Sequence, residues 1–175
     1  MIKNYLQNNV WKSFWVSPFH VPQKAWLLVP FFAVISVITG FSAGLIQVKF
    51  ISSNSAFILP FTLFVFPSLP EEAFFRGILI PRETIKHGRK KVAQIIGSST
   101  FLFVVWHPVN ALIFNHAAIP LFFSPPFLIL VAALGITCGY SYVVSKSIWV
   151  PVMIHWATLT VWVLFLGGRD LLLGS

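Results

Sequence analysis

Acidic residues are almost absent from this chain: four Asp and Glu stand against twelve Lys and Arg in 175 residues. Charged residues amount to 9% of the sequence, a third or so of the roughly 25% usual in a soluble domain. That deficit excludes an ordinary water-soluble globule. A soluble nucleic-acid-binding protein can be equally basic, but its Lys and Arg form patches on a polar surface able to reach phosphates. Here the basic residues punctuate long apolar runs, as in membrane proteins, and no nucleic-acid partner is expected. Cysteine is nearly missing too. Cys138 stands alone, so neither a disulfide framework nor a Cys-based zinc site is available. Internal repeats, Gly-rich phosphate loops and low-complexity segments are also lacking.

What is present is hydrophobic: 57% of residues are apolar and 17% aromatic. No Asp, Glu, Lys or Arg occurs from Ala25 to Val48, Phe50 to Pro70, Val92 to Ser145 or Ser147 to Gly168. A helix needs about 20 apolar residues to cross a bilayer. The first, second and fourth runs each suffice for one crossing. The third suffices for two, separated by the Pro-containing stretch from Asn115 to Pro126. The expected fold is therefore an all-α integral membrane bundle of about five transmembrane helices, with a range of four to six. Residues 25–168 form the membrane-embedded domain and 169–175 a C-terminal tail. Residues 1–24 form an N-terminal interfacial segment in which Ile2, Tyr5, Leu6, Val10 and Phe14 recur at helical spacing, suiting a short helix on the membrane surface or else a disordered tail. The first apolar run is too long for a signal-peptide core and has no small-residue cleavage site, so it is read as retained.

Orientation follows from Lys and Arg in the connections. Lys3, Lys12 and Lys24 precede the first crossing, and Arg82, Lys86, Arg89, Lys90 and Lys91 follow the second. Lys49 and the Asn115 to Pro126 loop on the alternate side are poor in charge. The N-terminus is expected in the cytoplasm and the C-terminus outside, in a bacterial plasma membrane.

An ionisable group at bilayer depth is costly, and so is by default a candidate for function. The first place is Ser68-Leu69-Pro70-Glu71-Glu72-Ala73-Phe74-Phe75-Arg76-Gly77. Phe57 to Pro67 is too short to cross alone, so the chain stays in the membrane through this motif, kinked at Pro67 and Pro70. Glu72 and Arg76, four apart, face each other on a helix and suit an ion pair. Glu71, about 100° round the helix, is less neutralised and suits a general base. Ser68 with Glu71 three residues on also reads as a capping box. The second place is His107, with Asn110 on its face and Pro108 beside it. The third is His155, which lies ~13 Å by helical rise from the basic end marked by Lys146. All three places fall near one depth, which favours a shared polar cavity over independent core histidines. His20, His87 and His116 fall in loops or flanks.

Two carboxylates, an arginine and two histidines suffice for hydrolysis without a Ser or Cys nucleophile: a base takes a proton from water while histidines orient it and donate to the oxyanion. Two histidines and a glutamate also form a zinc ligand set. The His-Glu-x-x-His signature of zinc proteases is missing, however, and Arg76 opposes a cation. Metal-free chemistry ranks first, with no cofactor, and a divalent metal such as zinc is the alternative.

Glu71-Glu72-x-x-x-Arg76, Phe103-x-x-x-His107 and then His155 resemble the three ordered motifs of the CAAX prenyl endopeptidase and bacteriocin-processing (CPBP, or ABI) family of intramembrane proteases, over about residues 56 to 166. The resemblance implies helices around a catalytic cavity, a glutamic-type protease and a peptide or protein substrate met at the membrane lipid. It also implies that Glu71 and His107 activate water and that His155 sits at the oxyanion. The family's third motif commonly ends with Asn four residues after its His; here that position is Leu159, flanked by Thr158 and Thr160. Two other readings use the same residues: a proton-coupled transporter or channel subunit, and a non-catalytic immunity-type membrane partner. Substrate, cleavage site and oligomeric state are not encoded in these patterns.

Overall fold

Five apolar helices run side by side in the structure, a computed structural model that describes residues 2–51 and 54–174. Met1, Ser52, Ser53 and Ser175, which fall in the expected N-terminal segment, the second apolar run and the tail, lie outside the described residues, as do the side chains of Ile2, Asn54 and Ser55. Among the described residues three helices are long and apolar enough to span a bilayer: α1 (Gln23–Ser42), α3 (Arg89–Ile113) and α4 (Pro125–Ser145). Between the first two lies α2 (residues 59–78), which is broken, and the bundle closes with α5 (Trp149–Phe165). The chain is an all-α membrane bundle, and no named strand occurs among the described residues. One parallel bridge, Lys49 to Leu166, ties the connection after α1 to the end of α5.

The outer faces are as apolar as the core. In α1 only Ala25, Phe32 and Gly40 are buried, while Phe31 and Ile38 are 63% and 62% exposed. A helix that is hydrophobic all round and yet exposed requires lipid as its solvent.

Local chemistry sets the ends and breaks. Ser124 caps α4, its hydroxyl accepting from Phe127 N–H, with Pro125 and Pro126 opening the helix. Lys146 ends it in the left-handed region at φ 57°. In α2 the break falls at Phe66 (φ −150°, ψ 127°), immediately before Pro67, because a residue preceding proline is driven from helical to extended backbone. Pro70 produces no second kink. It sits in the first turn of the restarted helix, where its missing N–H has no cost.

The α3–α4 contact is tightened by small residues. A Cβ on Gly135 would lie 2.8 Å from Cγ2 of Thr100, and one on Gly139 would lie 2.9 Å from Cγ2 of Ile96. Gly135-x-x-x-Gly139 thus forms the flat face that lets two membrane helices approach. Phe75, Phe103, Leu134, Cys138, Val150 and Ile154 build the apolar cluster around the site. The few exposed ion pairs lie at the two ends: Lys49 with Asp170 at one, and Glu83 with Lys86 (2.5 Å) and Lys146 (3.6 Å) at the other.

Candidate active site

The restarted half of α2 carries both glutamates and the arginine. Residues 73–78 wind as a π-helical turn, a geometry found most often at functional sites. Glu72 and Arg76 are both fully buried, and Arg76 Nε lies 3.1 Å from Glu72 Oε2. The distance is that of an ion pair, but Nε does not point along a hydrogen bond to that oxygen, and Arg76 Nη1 also lacks a protein partner. Arg76 Nη2 donates to the Gly135 carbonyl at 3.3 Å. Its guanidinium carbon lies 4.4 Å from the Phe103 ring centroid, within cation–π range.

His155, on α5, reaches the same carboxylate. Its Nδ1 donates to Glu72 Oε1 at 3.0 Å, and the residue is only 2% exposed. Glu72 therefore faces Arg76 with one oxygen and His155 with the other. Bonding through Nδ1 fixes the proton there and leaves Nε2 uncommitted to Glu72.

His107 on α3 is held by the same device. Its Nδ1 donates to the Phe103 carbonyl one turn back at 2.8 Å, which again leaves Nε2 free as an acceptor. Pro108, which follows it, has no N–H and crowds the preceding turn. Glu71 and His107 are half-buried, in contrast to the enclosed Glu72 and Arg76. Glu71 Oε1 accepts from Trp106 Nε1–H at 2.9 Å. Trp106 and His107 are consecutive on α3, so the donor to Glu71 sits beside His107, and one ring, Phe103, packs against both histidines and under the Arg76 guanidinium. The five residues identified from sequence thus share one neighbourhood.

Phe103 is its hub. This fully buried ring packs edge-on against His107 (4.9 Å between centroids), His155 (5.8 Å) and Phe75 (5.1 Å). On the far side, Phe122 and Phe127 contact the His107 imidazole at 5.4 and 5.8 Å. Trp106 and Phe103 are contributions that the charge pattern does not reveal. For Trp106 a signal exists: an indole N–H at bilayer depth needs an acceptor.

The capping-box expectation is corrected. Ser68 does not cap a helix; it is itself helical (φ −59°, ψ −49°) with no side-chain cap, and its hydroxyl is buried without a partner. Glu71 turns to Trp106 instead. Beside Leu159, the Thr158 hydroxyl is bonded back to the Ile154 carbonyl at 2.8 Å, which occupies its donor. Thr160 Oγ1 is buried with no partner. Among the described residues no three His, Cys, Asp or Glu side chains group so as to hold a metal ion.

The model of the family described as "type II CAAX prenyl endopeptidase Rce1-like" matches residues 53–161. The chain belongs to this family. The matched span contains all five site residues and takes in α2 through most of α5. No curated protein and no solved structure gives a significant match. Membership makes the chain an integral-membrane CAAX protease homologue, a hydrolase by family, with a peptide or protein as the class of substrate.

Proposed function

We propose that the protein is an intramembrane endopeptidase in which Glu71 and His107 activate water, while Glu72 and Arg76 hold the site together and His155 faces the oxyanion. The observation that carries this reading is the division between the two carboxylates. Glu72 is buried with a cationic or N–H partner at each oxygen, whereas Glu71 is half-buried and, among the described residues, has a single neutral donor, Trp106.

In this mechanism Glu71 and the free Nε2 of His107 accept hydrogen bonds from one water. The water oxygen attacks the peptide carbonyl carbon as Glu71 takes the proton. The C–N bond then breaks with return of that proton to the departing amine nitrogen. The developing oxyanion needs a donor, and Leu159 supplies none. His155 can donate from Nε2 when its ring carries both protons, a charge balanced by the Glu72 carboxylate.

Zinc fits this arrangement poorly. Both oxygens of Glu72 are engaged by other residues, and the guanidinium of Arg76 stands where a divalent cation would be repelled. No step is assigned to a metal.

The test is cleavage of a membrane-associated peptide by purified protein in liposomes, with and without a strong chelator. The proposal expects cleavage that survives chelation. Glu71-dependent proton flux without cleavage would favour the transporter reading, and function that persists in both Glu71→Gln and His107→Ala would favour a non-catalytic partner. Loss of cleavage on chelation, restored by zinc, would overturn metal-free catalysis. Charge asymmetry supports a cytoplasmic N-terminus and Glu83–Lys146 end; labelling of single cysteines from either side tests this.

A further inference from the structure

Residues 2–14 precede the family-matched span, yet they reach the two helices that meet at Glu72 and His155. The π-helical turn ending at Ile78 leaves backbone carbonyls that no later turn satisfies, since Pro81 stops the chain from continuing as helix. Asn9 satisfies them from a distance. Its Nδ2 donates to the carbonyls of Gly77 (2.6 Å) and Ile80 (3.1 Å), and its Oδ1 accepts from Arg82 N–H (2.6 Å). Tyr5 adds a bond from its hydroxyl to the Ile78 carbonyl at 2.7 Å. Asn9 is 5% exposed, and a buried amide with both ends engaged fixes the position of what it binds.

One turn further on, the same segment holds the start of α5. Ser13 O accepts from Ile148 N–H (3.2 Å), Phe14 O from Trp149 Nε1–H (2.8 Å) and Val16 O from the Ser147 hydroxyl (2.6 Å). Ser13 is fully buried and its hydroxyl donates to Val10 O at 2.6 Å, tying the two halves of the segment together. Trp11 and Trp15, 63% and 86% exposed, point away from the bundle, where indole rings suit the membrane interface.

We propose that the N-terminal segment is a positioning strap for the active site, with Asn9 its central residue: it caps the helix of Glu71, Glu72 and Arg76 and anchors the helix of His155, so setting how those helices meet. Asn9 touches no reacting group and acts through Gly77 and the backbone that follows Arg76. The inference rests on the proteolytic reading for its kinetic consequence but not for its structural one.

The test has two arms. In the first, Asn9→Leu is compared with wild type in a peptide-cleavage assay below its melting temperature. Displacements on the order of 1 Å cost catalysis about 10²-fold, so kcat is expected to fall by about that factor with little change in KM; Tyr5→Phe, which loses the bonds to Ile78 O and from Asn9 Nδ2 but keeps those of Asn9 to Gly77, Ile80 and Arg82, falls less. In the second, spin labels at Phe74→Cys and Val161→Cys, with Cys138 left buried, report the distance between α2 and α5. A narrow distribution in wild type is expected to broaden or shift in Asn9→Leu. If Asn9→Leu does not fold, Tyr5→Phe carries both arms. An unchanged kcat overturns the proposal whatever the labels show, and so does an unchanged distance distribution. Wild-type protein that cleaves nothing would sink the proteolytic reading instead, leaving the distance arm to decide the strap.

Discussion

His155 Nδ1 lies 3.0 Å from Glu72 Oε1, joining residues 83 apart in sequence inside a fully enclosed cluster. Because Arg76 faces the other oxygen, the Glu72 carboxylate is the point at which α2 and α5 are pinned together. Truncating one partner of a buried ion pair leaves a charge without compensation, and such changes cost about 3–5 kcal/mol. Glu72→Gln is therefore expected to lower thermal stability in detergent strongly. Adding Arg76→Met should recover part of that loss, since the stranded charge is then removed as well. A double-mutant cycle read by melting temperature checks both.

The exposed pairs make a contrasting prediction. Lys49–Asp170 lies near the bundle's surface, and pairs of that kind contribute at most about 1 kcal/mol, so Asp170→Asn should leave the melting temperature almost unchanged. At the other end, the hydrogen bond from Lys86 holds the Glu83 carboxyl below its ordinary value of 4.5. Its folded value is depressed, so its small stabilising effect is full above the ordinary value and is lost as pH falls through the lowered one. Glu83→Gln and wild type should thus converge in stability in that acid window.

Trp106→Phe removes the hydrogen bond that Trp106 makes to Glu71 while keeping an aromatic ring. Hydrogen bonds to charged groups contribute about 1.5–3 kcal/mol. If Glu71 must be held for its task, kcat should fall by about 10- to 100-fold while the melting temperature moves far less than in Glu72→Gln. Steady-state kinetics on the folded variant checks this.

The small-residue face of α4 is a packing constraint on the same site. A methyl group at Gly135 would press on Thr100 and lie 3.3 Å from Phe103 Cδ1. It would also disturb the backbone carbonyl that accepts from Arg76. Overpacking of this kind costs about 1–3 kcal/mol. Gly135→Ala should lower both stability and kcat, whereas an Ala at Gly97, where a Cβ meets nothing within 4 Å, should leave both near wild type.

Much of this was readable in advance because the bilayer makes charge expensive. The charge-free runs located the apolar helices of the bundle, and the four-residue spacing of Glu72 and Arg76 set two side chains on one helical face. Ser68 misled because a capping box is judged from neighbours alone, and the partner of Glu71 is Trp106, 35 residues away. Pro70 looked like a kink until the break at Phe66 turned it into the first turn of a new helix. The role of Asn9 was hidden for the same reason. A polar residue between apolar ones at helical spacing reads as the wet side of an interfacial helix, and only the unsatisfied carbonyls of a distant turn make it the buried side. Gly135-x-x-x-Gly139 was visible as a pattern, and its meaning depends on which helix lies opposite.

The division of roles between the two adjacent glutamates is tested most directly by measuring kcat and melting temperature for Glu71→Gln and Glu72→Gln on the same reconstituted preparations. Glu71→Gln should abolish peptide cleavage while melting close to wild type, and Glu72→Gln should melt well below it. A Glu71→Gln protein that still cleaves would contradict the account.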